Sequence, residues 1–593
     1  MVCFTRRQRD GEWPGMRHRA FVLSALCWVL VAAPAGARGT VGASPQRDQD
    51  SQSVVEHLNS GVGLLKAGKT QQALAEFQTA CRLDPRSVQA HVLAGVAENQ
   101  LGNAQEAASA LRRALELDPN SQAAHYNLAL SLAQLKKNDE AIQELRTVLK
   151  LNPRFMLASY NLGVLLEDKG DYEGAIQAFR AAKNAQPDDA PTLLHLVSAY
   201  YAAGKGSQAV SLAQEAAGGD STGDFSVRLG LLLIEHGDFN EAAHLLEPGL
   251  SRARGSPDFD LTLGRAYIGA GQPEKAIDFL RASQWKDSSW QFAYLIGLAY
   301  VSMNDPPSAI ASFREAIRMQ PGQPKLHFQL GRMLLKSANE TEQDEGVKEL
   351  SEAISLEPHA PENYEVLGRW FLQHDYVKPA IDLLEQGITD VPSSAELEAM
   401  MALAQAALHG GASAKPYAQR ALQLDPKMAL AHYMVGFACF NAGDYEEAAK
   451  YYKEAIEIEP RNDVYFYDMA VALQRLNRLA EALPYARRAA ALNPRRSLNH
   501  YFLGKLYVKL NRDDDAIPEL EASIRLNPRL DNSYYLLSQI YGRMGNASKA
   551  NEMRAKLAQL KHTADREVQL ESPESEPGEK ISPSQVLESH GQP

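Results

Sequence analysis

The segment Gly63-Leu64-Leu65-Lys66-Ala67-Gly68-Lys69-Thr70 satisfies the phosphate-loop pattern G-x-x-x-x-G-K-T. Such a loop binds phosphate when it joins a strand to a helix and leaves its amides free. Here Gly63 to Ala67 fall inside a helical pattern, Gly68 falls on a turn, and no strand precedes, so the match reads as coincidence. The 15 histidines include His57, His91, His125, His432 and His500, which recur at one site of a periodic pattern. Recurrence of that kind reads as packing rather than metal ligation. There is no His-Glu-x-x-His, Cys-x-x-Cys or Gly-x-Ser-x-Gly. No catalytic residue, no metal site and no cofactor is expected, and the chain reads as a non-enzyme. A third set has the chemistry of binding: Tyr126, Tyr160, Tyr294, Phe328, Tyr433, Tyr467, Tyr501 and Tyr535, with Asn127, Asn161 and His195 following the earlier members. Tyrosine offers contact area and asparagine offers hydrogen bonds to an extended peptide. Phe437, Phe440, Lys505 and Gln539 extend this set. The competing reading is that the rings only pad neighbouring helices.

What positions these residues is a beat of 34. Ala73, Ala107, Ala141, Ala175 and Ala209 keep it, and so do Ala380, Ala414, Ala448, Ala482, Ala516 and Ala550. Pro85, Pro119, Pro153 and Pro187, and later Pro358 through Pro528, keep it too. A fixed period in this range marks a repeat architecture. Within residues 429–462, Ala429 to Ala442 is apolar at helical spacing. Gly443 stands where a helix end needs a left-handed residue, and Asp444 is placed to cap the next helix. Glu447 to Ile458 is a second amphipathic helix, and Pro460 stops it. The turn glycine recurs as Gly68, Gly102, Gly170, Gly204, Gly237, Gly271 and Gly545, with Asn477 and Asn511 as substitutes. Gly436 in the first helix and Ala448 in the second mark a close helix crossing, and the first-helix glycine recurs from Gly61 to Gly504. Glycine inside a helix costs about 1 kcal/mol against alanine, so its repetition needs a packing reason.

This pattern resembles the tetratricopeptide repeat family over most of the chain. The small first-helix residue, Tyr or Leu three later (Leu64, Tyr267, Tyr300, Tyr507), alanine in the second helix, an aromatic or Leu four on (Phe77, Phe179, Phe313, Tyr452), and the closing Pro all agree. The resemblance implies an all-α fold, a right-handed α-solenoid superhelix of about 15 helix-turn-helix repeats over residues 53–562. It implies first helices lining a concave groove, and protein or peptide partners. Candidate partner-binding residues are Tyr126, Asn127, Tyr160, Asn161, Tyr433, Phe437, Tyr467, Tyr501, Lys505 and Tyr535. The Lys and Asn clamp by which some relatives hold a terminal carboxylate is not apparent, since Leu58, Val62 and Leu93 stand at groove sites of the first repeats.

The beat shortens to 33 in places and lengthens to 37 between Ala309 and Gly346, where Ser337–Glu345 reads as a polar lengthening of one inter-helix turn. Weak repeat endings near 218–260 admit two readings, drift in a surface turn or a bend between two segments. The helix Asn546–Lys561 carries Arg554 where other units are apolar and reads as the C-terminal cap, since an array must end on a face that tolerates water. Residues 38–52 and the acidic tail 563–593 are polar and expected to be disordered.

Residues 1–37 carry five arginines, an apolar run Ala20–Ala33 and Pro34-Ala35-Gly36-Ala37. This describes a secretory signal, and an uncleaved N-terminal anchor is the alternative. Export to a periplasmic or extracellular space is therefore expected, with no membrane insertion after cleavage. Net charge is −12 for the whole chain and about −15 without the leader, which loses five basic and two acidic residues. That disfavours nucleic acid and anionic membrane as partners. Cys81 and Cys439 lie ten repeats apart, and no internal disulfide is expected. The leading functional expectation is an exported protein-binding scaffold, such as a cell-envelope assembly factor; the alternative is a tether using the convex face and tail. N-terminal sequencing of the mature protein should begin near Arg38, and a mature product starting at Met1 would refute cleavage.

Overall fold

The computed structural model describes residues 45–218, 220, 223–251, 256–567 and 581–588. The expected signal segment, residues 38–44 of the linker and residues 568–580 and 589–593 of the tail lie outside the described residues. Among the described residues the chain is all helical with no strand. Fifteen successive helix pairs run from Pro45 to Glu567, and one short helix, Pro583–Glu588, follows. The fold is an α-solenoid.

One pair shows why. The first helix, Ala429–Asn441, ends as Gly443 takes φ +84°. The Asp444 amide then bonds back to the Cys439 carbonyl at 2.9 Å, closing the six-to-one bond of a left-handed helix end. Asp444 turns its own carboxylate on the Glu447 amide at 3.2 Å and starts Tyr445–Ile458. Every turn glycine read from the sequence has positive φ, and Asn477 and Asn511 do as well. Lys136, Asn304 and Asp375 join them without having signalled it. At the far end Asp84, which precedes Pro85, is extended at φ −130°, as proline imposes on the residue before it.

In most pairs the crossing is set by contact between a first-helix glycine and one bulky second-helix side chain; Ala129, Val197, Ala402, Ala470 and Ser538 take the glycine's place in the others. A Cβ on Gly436 would lie 2.8 Å from the Tyr452 ring; on Gly163, 2.5 Å from Phe179; on Gly95, 2.5 Å from Leu111. The partner stands 16 residues on in these pairs and 19 on for Gly331 and Leu350, so the lengthened repeat keeps the same crossing. Its additional residues do not extend the turn, as the polar run Ser337–Glu345 had suggested. They add to the second helix, Glu340–Leu356, which Asn339 caps at the Thr341 amide over 2.9 Å. Glu340 and Glu342 in its first turn suit the positive end of the helix dipole.

The chain divides into two compact units between Asp305 and Pro306. In the region of weak endings, Phe239–Leu246 is only eight residues, and a 3-10 turn Glu247–Ser251 takes over. Pro248 cannot donate there, so the regular helix stops. Its neighbours Asp224–Glu235 and Pro257–Gly269 still pack on it. In the second unit one apolar cluster runs from Leu335 to Ala550 and takes in Ile581, Val586 and Leu587. The last paired helix, Ala547–Glu567, exposes Lys549, Asn551, Arg554 and Lys556, as a cap requires. The expectation of disorder needs correction at both ends. Helix begins at Pro45, the last paired helix continues to Glu567, and residues 583–588 are helical. Composition marked these segments as unable to bury a core of their own; residues 583–588 pack instead on Pro361–Gln373 and Ala395–His409.

Ala448 is fully buried at its crossing, whereas Lys450 is exposed. Ala448→Leu should therefore destabilise the second unit by about 1–3 kcal/mol, and Lys450→Ala should be nearly silent in the same thermal melt. Equal melting of the two variants would refute this crossing.

Candidate functional site

The phosphate-loop lookalike is dismantled by its own backbone. Ala67, Gly68 and Lys69 amides donate to the Gly63, Leu65 and Leu64 carbonyls at 2.9–3.1 Å, so they are already spent closing the helix Pro45–Lys66. The recurrent histidine is a latch between neighbours. His125 meets Glu144 at 2.5 Å through Nδ1 and the Pro119 carbonyl at 2.9 Å through Nε2. His500 repeats this with Glu519 and Pro494, at 2.6 and 3.1 Å. Among the described residues no group of His, Cys, Asp and Glu is placed to hold a metal ion. No described helix is long and apolar enough to cross a membrane. Cys81 and Cys439 are free thiols, and burial pushes the Cys81 thiol up to about 11.

The aromatic set is uneven. In the first unit Tyr126 packs edge-on against Phe155 at 5.0 Å, and its hydroxyl accepts from Asn161 Nδ2 at 3.1 Å. Asn127 donates to the Ala123 carbonyl of its own helix at 2.8 Å. Tyr160 is buried against Phe179 and His195, with ring centroids 6.0 and 5.6 Å away. In the second unit Tyr433 is only 1% exposed, stacked on Tyr465 at 4.8 Å and tilted on Tyr452 at 5.6 Å. Phe437 is buried beside it. Tyr467 lies against Phe502 at 5.3 Å, and Lys505 Nζ stands 5.7 Å from the buried ring of Tyr501. Tyr535 is 49% exposed. The sequence placed these tyrosines in one register; the structure makes Tyr433 a floor and Tyr535 a surface.

Around that floor lies a polar cluster that the sequence did not single out. Tyr433 donates its hydroxyl to Asp468 Oδ2 at 2.7 Å. Asp468 occupies the position after Tyr467 that holds Asn127 and Asn161 in the first unit, and this register was its one available signal. Burial raises the Asp468 carboxyl from its ordinary 3.8 to about 6, and Asp463 adds to the rise. The Tyr433 bond and the charge of Arg496 oppose it. Arg496, at the start of Ser497–Lys509, reaches Asp463 at 3.3 Å and lies over the Tyr467 ring with 5.1 Å to the centroid. Asn499 Nδ2 donates to the same Asp463 at 2.9 Å.

Earlier first helices of the same unit hold a segment of the tail. Pro583–Glu588 packs on Pro361–Gln373 and Ala395–His409. Ile581, Val586 and Leu587 are 8%, 1% and 3% exposed. Arg496 donates to Gln585 Oε1 at 3.1 Å, and Ser584 Oγ donates to Asp375 Oδ2 at 3.1 Å. Asp375 ends the turn after Pro361–Gln373, so the segment is gripped by repeats four units apart in sequence. The arrangement binds a segment of protein and contains no paired nucleophile and base.

The Asp468 carboxyl has its higher pKa in the folded chain, so the protonated form favours folding. That contribution is complete below about pH 3.8 and is lost as pH rises through about 6. The melting temperature of the wild-type second unit should fall between about pH 5 and about pH 7 relative to Asp468→Asn, a difference on the order of 1–3 kcal/mol. Parallel melting curves across that window would show that Asp468 is not buried as described.

Family models described as tetratricopeptide repeat match residues 58–122, 126–190, 294–355 and 467–531, residues 429–462, and residues 233–287. The human interferon-induced protein with tetratricopeptide repeats 2 is 31% identical over 149 residues, 24% of this chain. The match spans about a third of that protein, 32% of its length. Among solved structures, Naa15/Naa10 bound to HypK-THB aligns over 88% of this chain and 98% of that one, at 14% identity and a TM-score of 0.33. YrrB, described as a TPR protein with an unusual peptide-binding site, aligns over 30% of this chain and 92% of its own, at 23% identity and a TM-score of 0.28. With the repeat matched from one end of the array to the other, and its crossings and turns in place, this chain belongs to the tetratricopeptide repeat family.

Proposed function

We propose that this protein-interaction scaffold holds segments of other proteins against the first helices of its second unit. One observation carries the reading: two first helices of that unit, Pro361–Gln373 and Ala395–His409, already hold a protein segment, residues 581–588, with three aliphatic side chains buried and polar groups gripped at Asp375 and Arg496. The site residues divide the work. Tyr433 and Phe437 form the floor, Tyr467 and Tyr501 its sides, and Lys505 and Tyr535 the rim; Tyr126, Asn127, Tyr160 and Asn161 stand for a lesser face on the first unit. The role is non-catalytic. The arginine-rich start and Ala35-Gly36-Ala37 support export, and with it a cell-envelope assembly role, since a long binding face without catalytic groups suits holding clients. A partner is expected to be protein rather than nucleic acid, given the acidic chain.

Affinity capture from the envelope fraction, read by mass spectrometry, tests this with paired variants of the full chain. Tyr535→Ala should weaken capture by about 1–3 kcal/mol with the melting temperature unchanged. Lys453→Ala, on the exposed side of a second helix, should leave capture intact. The reverse result would favour a tether that works through its outer surface.

A further inference from the structure

The tail segment is the one part of the described chain that the repeat period does not require. Six helical residues do not hold a helix in water by themselves, so Pro583–Glu588 is ordered by what it touches. Pro583 begins that helix, where a missing amide proton is harmless. The chemistry along it runs in sequence. Ser584 gives a hydroxyl proton to Asp375, Gln585 offers an amide oxygen to Arg496, and Val586 and Leu587 enter the apolar cluster with Ile581. The array thus presents an acceptor at one side, a donor at the other, and a dry patch between them. Arg496 is itself held by Asp463, and Asp463 by Asn499, so the donor is already oriented before anything binds.

We infer that this seat is a receptor for a short proline-initiated helix with the order hydroxyl, side-chain acceptor, aliphatic, aliphatic, and that residues 581–588 are its built-in competitor. The inference rests on the scaffold reading above and names the partner of the same face. The gain from burying three aliphatic side chains is of the same order as the loss from ordering eight residues. A segment this short is therefore held mainly by its tether. Residues 568–580 supply that tether, 13 residues of chain that keep the tail at high local concentration. A partner with the same pattern and a longer contact displaces it. A free peptide of the same sequence competes at a disadvantage, because it lacks the tether.

The probe is a fluorescein-labelled synthetic peptide of residues 579–593, followed by anisotropy against the full chain. In the variant Val586→Asp, Leu587→Asp the tail should leave the seat and the peptide should bind. Wild type should bind it at least tenfold more weakly. Ser584→Asp, which sets a carboxylate against Asp375, should fall between them. A peptide carrying the two aspartates should not bind to any of the three. Circular dichroism should lose no more than the six-residue helix Pro583–Glu588, since every substitution lies outside the paired helices. Equal affinity for wild type and the opened variant, or no binding to the opened variant, overturns the inference. In that event the effect of Tyr535→Ala on client capture still decides the scaffold reading. Peptide binding with client capture indifferent to Tyr535 would keep the seat and sink the scaffold.

Discussion

The array depends on one steric contact made in most of its pairs: a small residue, usually glycine, on a first helix against a side chain on the second. Gly436 leaves room for the Tyr452 ring, and Gly95 and Gly163 do so for Leu111 and Phe179. A methyl group at any of these points would stand inside the neighbour, so the contact sets how closely two helices cross. Each repeat then inherits its spacing from the one before, and stability is a sum of pair and neighbour terms rather than the property of one central core. The lengthened repeat shows which quantity is protected. Its sequence gained residues, but the contact between Gly331 and Leu350 survived by moving the addition into helix.

The polar groups at repeat junctions are settled locally, by geometry that recurs with the same period. A histidine on the first helix reaches the carbonyl of the proline six residues earlier and the glutamate of its own second helix. This explains why histidine stands where a bulky ring would also fit: it fills the same space and satisfies a carbonyl that proline's break leaves open. Similar pairs elsewhere tie neighbouring repeats at the surface, and exposed ion pairs of this sort contribute little each. They guide packing more than they hold it.

A solenoid with such junctions offers long faces, as a protein-interaction scaffold needs. What raises one face above the others is asymmetry. On the second unit a half-buried carboxyl, a phenol and an arginine lie together, and that arginine also holds a segment of the tail, which packs on Pro361–Gln373 and Ala395–His409. The tail brings its own hydroxyl and amide to complete the polar pairs there.

The period alone determined a good deal. Glycines and asparagines at fixed spacing put left-handed turns at Gly443, Asn477 and Asn511, prolines ended the second helices, and small residues named the crossings, because each of these is a constraint between residues close in the chain. The candidate binding face was legible only as a register of tyrosines. Whether a ring is floor or surface depends on the next repeat, so Tyr433 and Tyr535 look alike in sequence and differ fully in exposure. Arg496 drew no notice, since its partners Asp463 and Gln585 are 33 and 89 residues away. The tail was read as disordered for the same reason. Its composition cannot build a core, and only the tertiary structure shows that a core built by other repeats receives Val586 and Leu587.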